Sequence, residues 1–327
     1  MESIPALGLV IVGLIILCVG GYTLVLGGVS LARKLQISSM VIGLTVVAYG
    51  TSTPELATAI HASIDSHTDL IMGNIIGSNK SNIGMVIGIS AMLAVGAVGL
   101  GIRRRTVTKW IPMMIVASVA LVLMSWHDGE ISKYDGIALI VGLIIFTVYI
   151  VLTAKRQDPV GDVVEDEDPE IHMSFIRFTI NTVPRAILCV CVGAGLLFAG
   201  GQFTVDGAVA ISENLGISQL VIGVVIVAIG TSLPELVTSV IAIRKGQMDI
   251  GVGNIIGSNI YNILLIGGIA ATIAEIPVAS GMFLHYYVMI AFSLVLFVGF
   301  RTYIPRYVGA GLVATFAIYI VWLLVPK

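Results

Sequence analysis

Two stretches of this sequence place oxygen donors in otherwise apolar surroundings. The first runs Gly50, Thr51, Ser52, Thr53, Pro54, Glu55, Leu56, then Gly73, Asn74, Ile75, Ile76, Gly77, Ser78, Asn79 and Asn82. The second runs Gly230, Thr231, Ser232, Leu233, Pro234, Glu235, Leu236, then Gly253, Asn254, Ile255, Ile256, Gly257, Ser258, Asn259 and Asn262, each 180 positions after its mate. Carboxylate, hydroxyl and amide oxygens suit hard cations such as Ca2+ or Na+. No Cys or His joins the set, which argues against zinc or copper. The pair reads as two halves of one cation site.

The prolines explain how backbone can contribute. Pro54 has no N–H to return to the carbonyl of Gly50, and its ring crowds that turn, so the helix should kink or open there. Pro234 repeats this beside Gly230. Thr51, Ser52, Thr231 and Ser232 add hydroxyls at the break. Ser78 and Asn82 are four apart, hence on one helix face, and Ser258 and Asn262 match them. Glycines 73, 77, 253 and 257 permit close approach of neighbouring helices, while Asn74 and Asn254 are placed to satisfy freed backbone or to act as ligands.

These residues sit in a chain that must live in a bilayer. Of its 327 residues 57% are hydrophobic and 11% charged, against about 25% charged in soluble domains; mean hydropathy is +1.04. Ten segments are long enough to cross: roughly 5–32, 38–63, 70–98, 108–125, 135–153, 182–211, 218–243, 248–274, 280–300 and 305–325. The four oxygen-bearing stretches fall in the second, third, seventh and eighth. The expected fold is an all-α polytopic membrane protein of ten transmembrane helices, with broken helices at the ion site. The long polar stretch, rich in Asp and Glu, separates residues 1–154 from 179–327. It lacks the Gly and spacing of an EF-hand loop and reads as a solvated linker over 155–178. Trp110, Trp126 and Trp322 fall near span ends and read as interfacial anchors. No basic stripe with interleaved aromatics points to nucleic acid, and the three cysteines offer no disulfide framework.

Orientation follows from the basic residues. Fourteen of the seventeen lie in, or at the span edges flanking, connections after odd-numbered spans, which places those connections in the cytoplasm and both termini outside. Without a gap, 30 of 63 positions are identical between residues 20–82 and 200–262. A five-span unit is odd, so its second copy enters the membrane upside down. Helix ends exchange charge accordingly: Arg33-Lys34 becomes Glu213-Asn214, and Ile64-Asp65 becomes Arg244-Lys245.

The motifs G-T-S-x-P-E-L and G-N-I-I-G-S-N, present twice within residues 43–90 and 223–270, resemble the two α-repeats of the sodium/calcium exchanger family of cation/calcium antiporters, prokaryotic-type without a large regulatory domain. The resemblance implies Glu55 and Glu235 as main calcium ligands. It implies sodium sites from Thr51, Ser52, Thr231, Ser232, Ser78 and Ser258, with the carbonyls of Ala48 and Ala228. It also implies that spans one and six slide together across the site-bearing core. Asn82 and Asn262 complete the ligand set, although several relatives carry Asp at the place of Asn262. The implied function is Na+/Ca2+ antiport by alternating access in the plasma (inner) membrane of a prokaryote. The transported ions and the lipid bilayer are the expected partners, with no obligate protein partner, cofactor or catalytic residue.

Other readings compete. A proton/calcium antiporter would use the same glutamates as proton carriers, but the Thr-Ser pairs favour sodium, whose shell uses hydroxyl oxygens. A cation channel is disfavoured by inverted half-sites, and an enzyme or primary pump by the lack of any P-loop. Lys80, where the second copy has Ile260, is two residues from both Ser78 and Asn82. It should point about 200° away from their face, reaching protein or water rather than serving as a cation inside the site.

Overall fold

The fold was taken from a computed structural model that describes residues 3–64, 68–95, 98–154, 170–173, 176–215, 228–279 and 281–324. In chain order the helices begin with α1 (Ser3–Leu35). The second span follows as α2 (Ser39–Ile42), a π turn (Gly43–Val47), α3 (Ala48–Thr51) and α4 (Thr53–Ile64). The third is α5 (Thr68–Ser81), a π turn (Asn82–Ile87) and α6 (Gly88–Leu93). Strand β1 (Gly99–Gly101), a π turn (Thr106–Trp110), α7 (Ile111–Asp128), β2 (Glu130–Ile131) and α8 (Lys133–Ala154) complete the first half. A hairpin of β3 (Glu170–Met173) and β4 (Ile176–Thr179) leads into α9 (Val183–Asn214). The broken seventh span is described from α10 (Ala228–Thr231) through α11 (Leu233–Arg244). Then come α12 (Met248–Tyr261), a π turn (Asn262–Gly267), α13 (Gly268–Ile273), β5 (Ile276–Pro277), α14 (Met282–Val295), β6 (Tyr303–Pro305) and α15 (Arg306–Leu324). Most of the acidic linker and the start of the seventh span, expected from residue 218, lie outside the described residues.

Among the described residues seven helices are long and apolar enough to cross a membrane. The other three expected spans fall short for local reasons. The second is interrupted at Ser52 and the seventh at Ser232. The third carries Asp69, Asn74, Asn79, Lys80 and Asn82 along its length.

Chain contacts divide the molecule into two compact units: Met1–Thr51 with Tyr149–Asn254, and Ser52–Val148 with Ile255–Lys327. Each unit takes pieces from both halves of the sequence. The first is built on α1 and α9, which meet backbone to backbone. A Cβ added to Gly20 would lie 3.0 Å from the carbonyl oxygen of Gly193; one added to Gly200 would lie 2.9 Å from that of Gly13; one added to Gly27 would lie 3.0 Å from that of Ala186. As numbers rise along α1 they fall along α9, so the helices are antiparallel. Gly13 and Gly20 are the repeat mates of Gly193 and Gly200, and each meets the mate of the other. That exchange is the signature of a two-fold axis, so the inverted repeat is visible in this single pair. Around the seam Leu17, Leu24, Val25, Val29, Leu197 and Ala242 form a buried core.

In the second unit, two strand pairs test the topology. β1 pairs antiparallel with β6, Leu100 opposite Ile304, and β2 with β5, Ile131 opposite Ile276. Paired strands lie on one face of the membrane, so an even number of crossings must separate them. The long apolar helices alone leave five crossings between β1 and β6 and three between β2 and β5. One further crossing between α9 and α12 makes both even. The broken seventh span supplies it.

Tryptophan placement corrects one expectation. Trp126 and Trp322 are exposed, as interfacial residues should be, but Trp110 is buried edge-on against Phe146 at 6.4 Å.

Candidate functional site

Both helix breaks form at a single residue. Thr51 ends α3, Ser52 is a turn, and α4 restarts at Thr53 with the amide of Leu56 donating to the carbonyl of Ser52 at 3.1 Å. Ser232 repeats this, accepting from the amide of Leu236 at 3.1 Å. Pro54 and Pro234 sit in the first turn of the restarted helix, where a missing N–H costs nothing. The π turns also recur in register, starting at Asn82 and at Asn262. Such bulges are frequent at functional sites because they re-aim side chains out of helical step.

Nearly every donor foreseen in the sequence is buried. Glu55 and Glu235 are each 1% exposed, and Ala48, Thr51, Ser52, Ser78, Asn82, Ser232, Ser258 and Asn262 are buried too. Thr231 is half-buried, and Ala228 opens α10 just before the second break.

In the first unit, the hydroxyl of Thr51 lies 3.2 Å from the carbonyl of Ala48 and 3.0 Å from Oδ1 of Asn254, either of which accepts from it. Asn254 in turn donates through Nδ2 to Oγ of Ser239 at 2.9 Å. Ser239 stands one turn beyond Glu235 on α11. Close packing of the second and eighth spans makes this reach feasible: a Cβ on Gly253 would lie 2.9 Å from the carbonyl oxygen of Met40. By contrast, among the described residues nothing approaches within 4 Å of a Cβ on Gly73 or Gly77. The expected close approach is therefore seen at Gly253 and not at those two.

In the second unit, Asn74 donates through Nδ2 to the backbone carbonyl of Glu55 at 3.2 Å, and Ser78 donates to Oδ1 of Asn74 at 3.4 Å. Asn262 donates to Oδ1 of Asn79 at 3.1 Å. Asn74 thus satisfies freed backbone, one of its two foreseen roles, while Asn254 bonds side chains instead. Lys80 turns from this network to the hydroxyl of Tyr319 on α15.

Among the described residues, Oδ1 of Asn82, Oδ1 of Asn262, Oγ of Ser232 and Oγ1 of Thr238 find no hydrogen-bond partner. Each buried orphan costs about 1–3 kcal/mol, and acceptor oxygens left bare in an apolar interior are what a bound cation relieves. Among the described residues no three His, Cys, Asp or Glu side chains come together. Hydroxyl, amide and carbonyl oxygens must therefore supply most of any shell. Thr238 and Ser239 were missed in the sequence, where Asn79 was seen in the motif but given no role of its own. Ser239 was findable, being four residues from Glu235 and so on its face.

Comparison with known proteins decides the lineage. The family model described as sodium/calcium exchanger protein matches residues 5–152 and 185–325. The chain belongs to the sodium/calcium exchanger family. It is 37% identical over 288 residues to the putative antiporter CaxA of Alkalimonas amylolytica, covering 88% of this chain and 87% of that one. It is 30% identical over 342 residues to the sodium/calcium exchanger MaX1 of Methanosarcina acetivorans, covering 96% and 97%. The solved sodium/calcium exchanger of Methanococcus jannaschii superposes with a TM-score of 0.78 at 30% identity, covering 98% of each chain. Membership in this family makes the chain a polytopic membrane protein of exchanger fold, ten helices in two inverted repeats.

Proposed function

We propose that this exchanger-family protein couples Na+ movement to counter-movement of Ca2+ across a membrane by alternating access. Glu55 and Glu235 act as calcium ligands. Thr51, Thr231, Ser52, Ser232, Ser78, Ser258 and the carbonyls of Ala48 and Ala228 serve sodium, and Asn82 and Asn262 offer amide oxygens to either ion. The observation that carries this reading is the pair of buried glutamates set in matched helix breaks. A carboxylate at the bilayer centre costs about 2.5–3.5 kcal/mol on insertion scales, and a bound cation offsets that cost. Competition for the same carboxylates then makes exchange obligatory, because sodium and calcium cannot hold them together.

The prevalence of hydroxyls beside each glutamate supports sodium over protons as the coupling ion. The excess of basic residues after odd-numbered spans supports a cytoplasmic linker at 155–178 between repeats 1–154 and 179–327, with both termini outside a prokaryotic plasma membrane. Purified protein in liposomes provides the test. Calcium uptake should follow an outward sodium gradient and stop when sodium is replaced by choline. Uptake that runs equally on a proton gradient without sodium would overturn the sodium assignment.

A further inference from the structure

Asn79 is 1% exposed on α5, and both arms of its amide are engaged within the second unit. Its Oδ1 accepts from Nδ2 of Asn262 at 3.1 Å. Its Nδ2 lies 3.6 Å from the sulfur of Met289 on α14, a side chain with no exposed surface. Asn262 is itself buried, and its Oδ1 finds no hydrogen-bond partner among the described residues. Side chains from the third, eighth and ninth spans thus form one line that ends in a bare oxygen.

The chemistry of the far end fixes the near one. A thioether sulfur accepts a hydrogen bond weakly and donates none. Met289 therefore takes the N–H arm of Asn79, because the carbonyl arm would bring lone pairs onto sulfur. With its N–H arm so placed, Asn79 shows oxygen to Asn262. Asn262 must answer with its own N–H arm, which leaves Oδ1 for an ion. The two amides are geared, since turning either one over forces the other to turn. In the reversed pair Asn262 would spend its oxygen on Asn79 and show N–H to the site, and an N–H dipole repels a cation. The repeat mate of Asn79 is committed elsewhere: Asn259 donates Nδ2 to the carbonyl of Ile255, one turn back on its own helix, at 2.7 Å.

We infer that Asn79 is a positioning residue: held by Met289, it turns the amide of Asn262 so that oxygen rather than N–H faces the cation site. The inference rests on the exchanger reading above, in which Asn262 is an ion ligand, and names what makes it one. The ligand is ready before the ion arrives, which spares binding the cost of turning a buried amide.

The test is a double-mutant cycle on the purified full chain, read by calcium titration with sodium competition and melting temperature alongside. Asn79→Leu is close in shape and offers no acceptor. Calcium affinity should fall on the order of tenfold, the worth of one contact to a charged group. In the Asn262→Asp background, measured against its own baseline, the same change should cost little, because a carboxylate has oxygen on both arms and needs no turning. Met289→Leu keeps the volume and removes only the sulfur. It should lower calcium affinity in the same direction by a smaller factor, and it gives the readout should Asn79→Leu fail to fold. Equal losses from Asn79→Leu in the two backgrounds would mark a structural role and overturn the inference while leaving the exchanger reading intact. Unchanged affinity in either single variant would overturn it too. A wild-type protein that binds neither ion would overturn both.

Discussion

The two copies of the site share their sequence and differ in their wiring. Asn74 and Asn254 are repeat mates, yet Asn74 closes on the backbone carbonyl of Glu55 while Asn254 bridges Thr51 and Ser239. One substitution accounts for much of this. Where the second copy has Ser239, the first has Ala59, so Asn74 finds no hydroxyl one turn beyond its glutamate and turns to the chain instead. Lys80 against Ile260 is the second difference. The carboxylates and helix breaks are held in common, and the surroundings that tune them are not. Binding charge is a property of the repeat, whereas selectivity and timing belong to the departures from it.

The strongest test of that division is to neutralise each common residue in turn. Glu55→Gln and Glu235→Gln should each cut calcium flux by on the order of a hundredfold or more, because ligand charge sets calcium affinity over decades; folding, read by size exclusion and melting, should survive. A variant retaining wild-type flux would show that the two copies are not equivalent even in charge. Acid should act on both copies alike. Protonation removes the negative charge that holds calcium, so flux at saturating gradients should fall as pH is lowered and recover on return to neutral. In either glutamine variant the same titration should add little to a flux already lost.

The α1–α9 seam offers a smaller, purely structural effect. A Cβ on Gly193 would sit 2.6 Å from the amide nitrogen of Leu24, whereas one on Gly195 meets nothing within 4 Å. Gly193→Ala should therefore cost about 3 kcal/mol by overpacking, seen as a lower melting temperature, and Gly195→Ala on the same helix should be close to neutral. Equal effects would mean that the seam is not tight. Finally, Ser239→Ala leaves the Asn254 amide without its hydroxyl acceptor, at a cost of about 1–2 kcal/mol. Ala59→Ser offers Asn74 the hydroxyl it lacks. If wiring tunes the copies, the two changes should shift calcium affinity in opposite directions; shifts of one sign would break the comparison.

Much of this was legible in the sequence because its causes are local. Proline at 54 and 234 breaks a helix through chemistry within one turn, and the breaks lie at Ser52 and Ser232. The inversion was readable from charge exchange at helix ends, since membrane sidedness acts on each loop separately, and the antiparallel glycine seam agrees. What escaped depends on distant pairing. Glycines 13, 20 and 27 are spaced by sevens, but nothing in that spacing names α9 as the partner. The acceptor for Lys80 lies 239 residues away. Trp110 looked interfacial from its place near a span end, and only its packing on Phe146 reveals that it faces inward. Ser239 is invisible to the repeat because its mate is Ala59, so its significance lies in not being shared.

The strand pairs carry a consequence for assembly. β1 waits for β6, roughly two hundred residues later in the chain, and β2 for β5. Closing loops of that length is entropically costly until other packing has brought the ends together. Spans inserted early must therefore stand in the lipid with their partners unmade, Lys80 among them, until α14 and α15 arrive. The second unit is completed only when α14 and α15 have left the ribosome. Until then a lysine with no acceptor sits inside a span, an expensive state that persists in any chain that stops short of Tyr319.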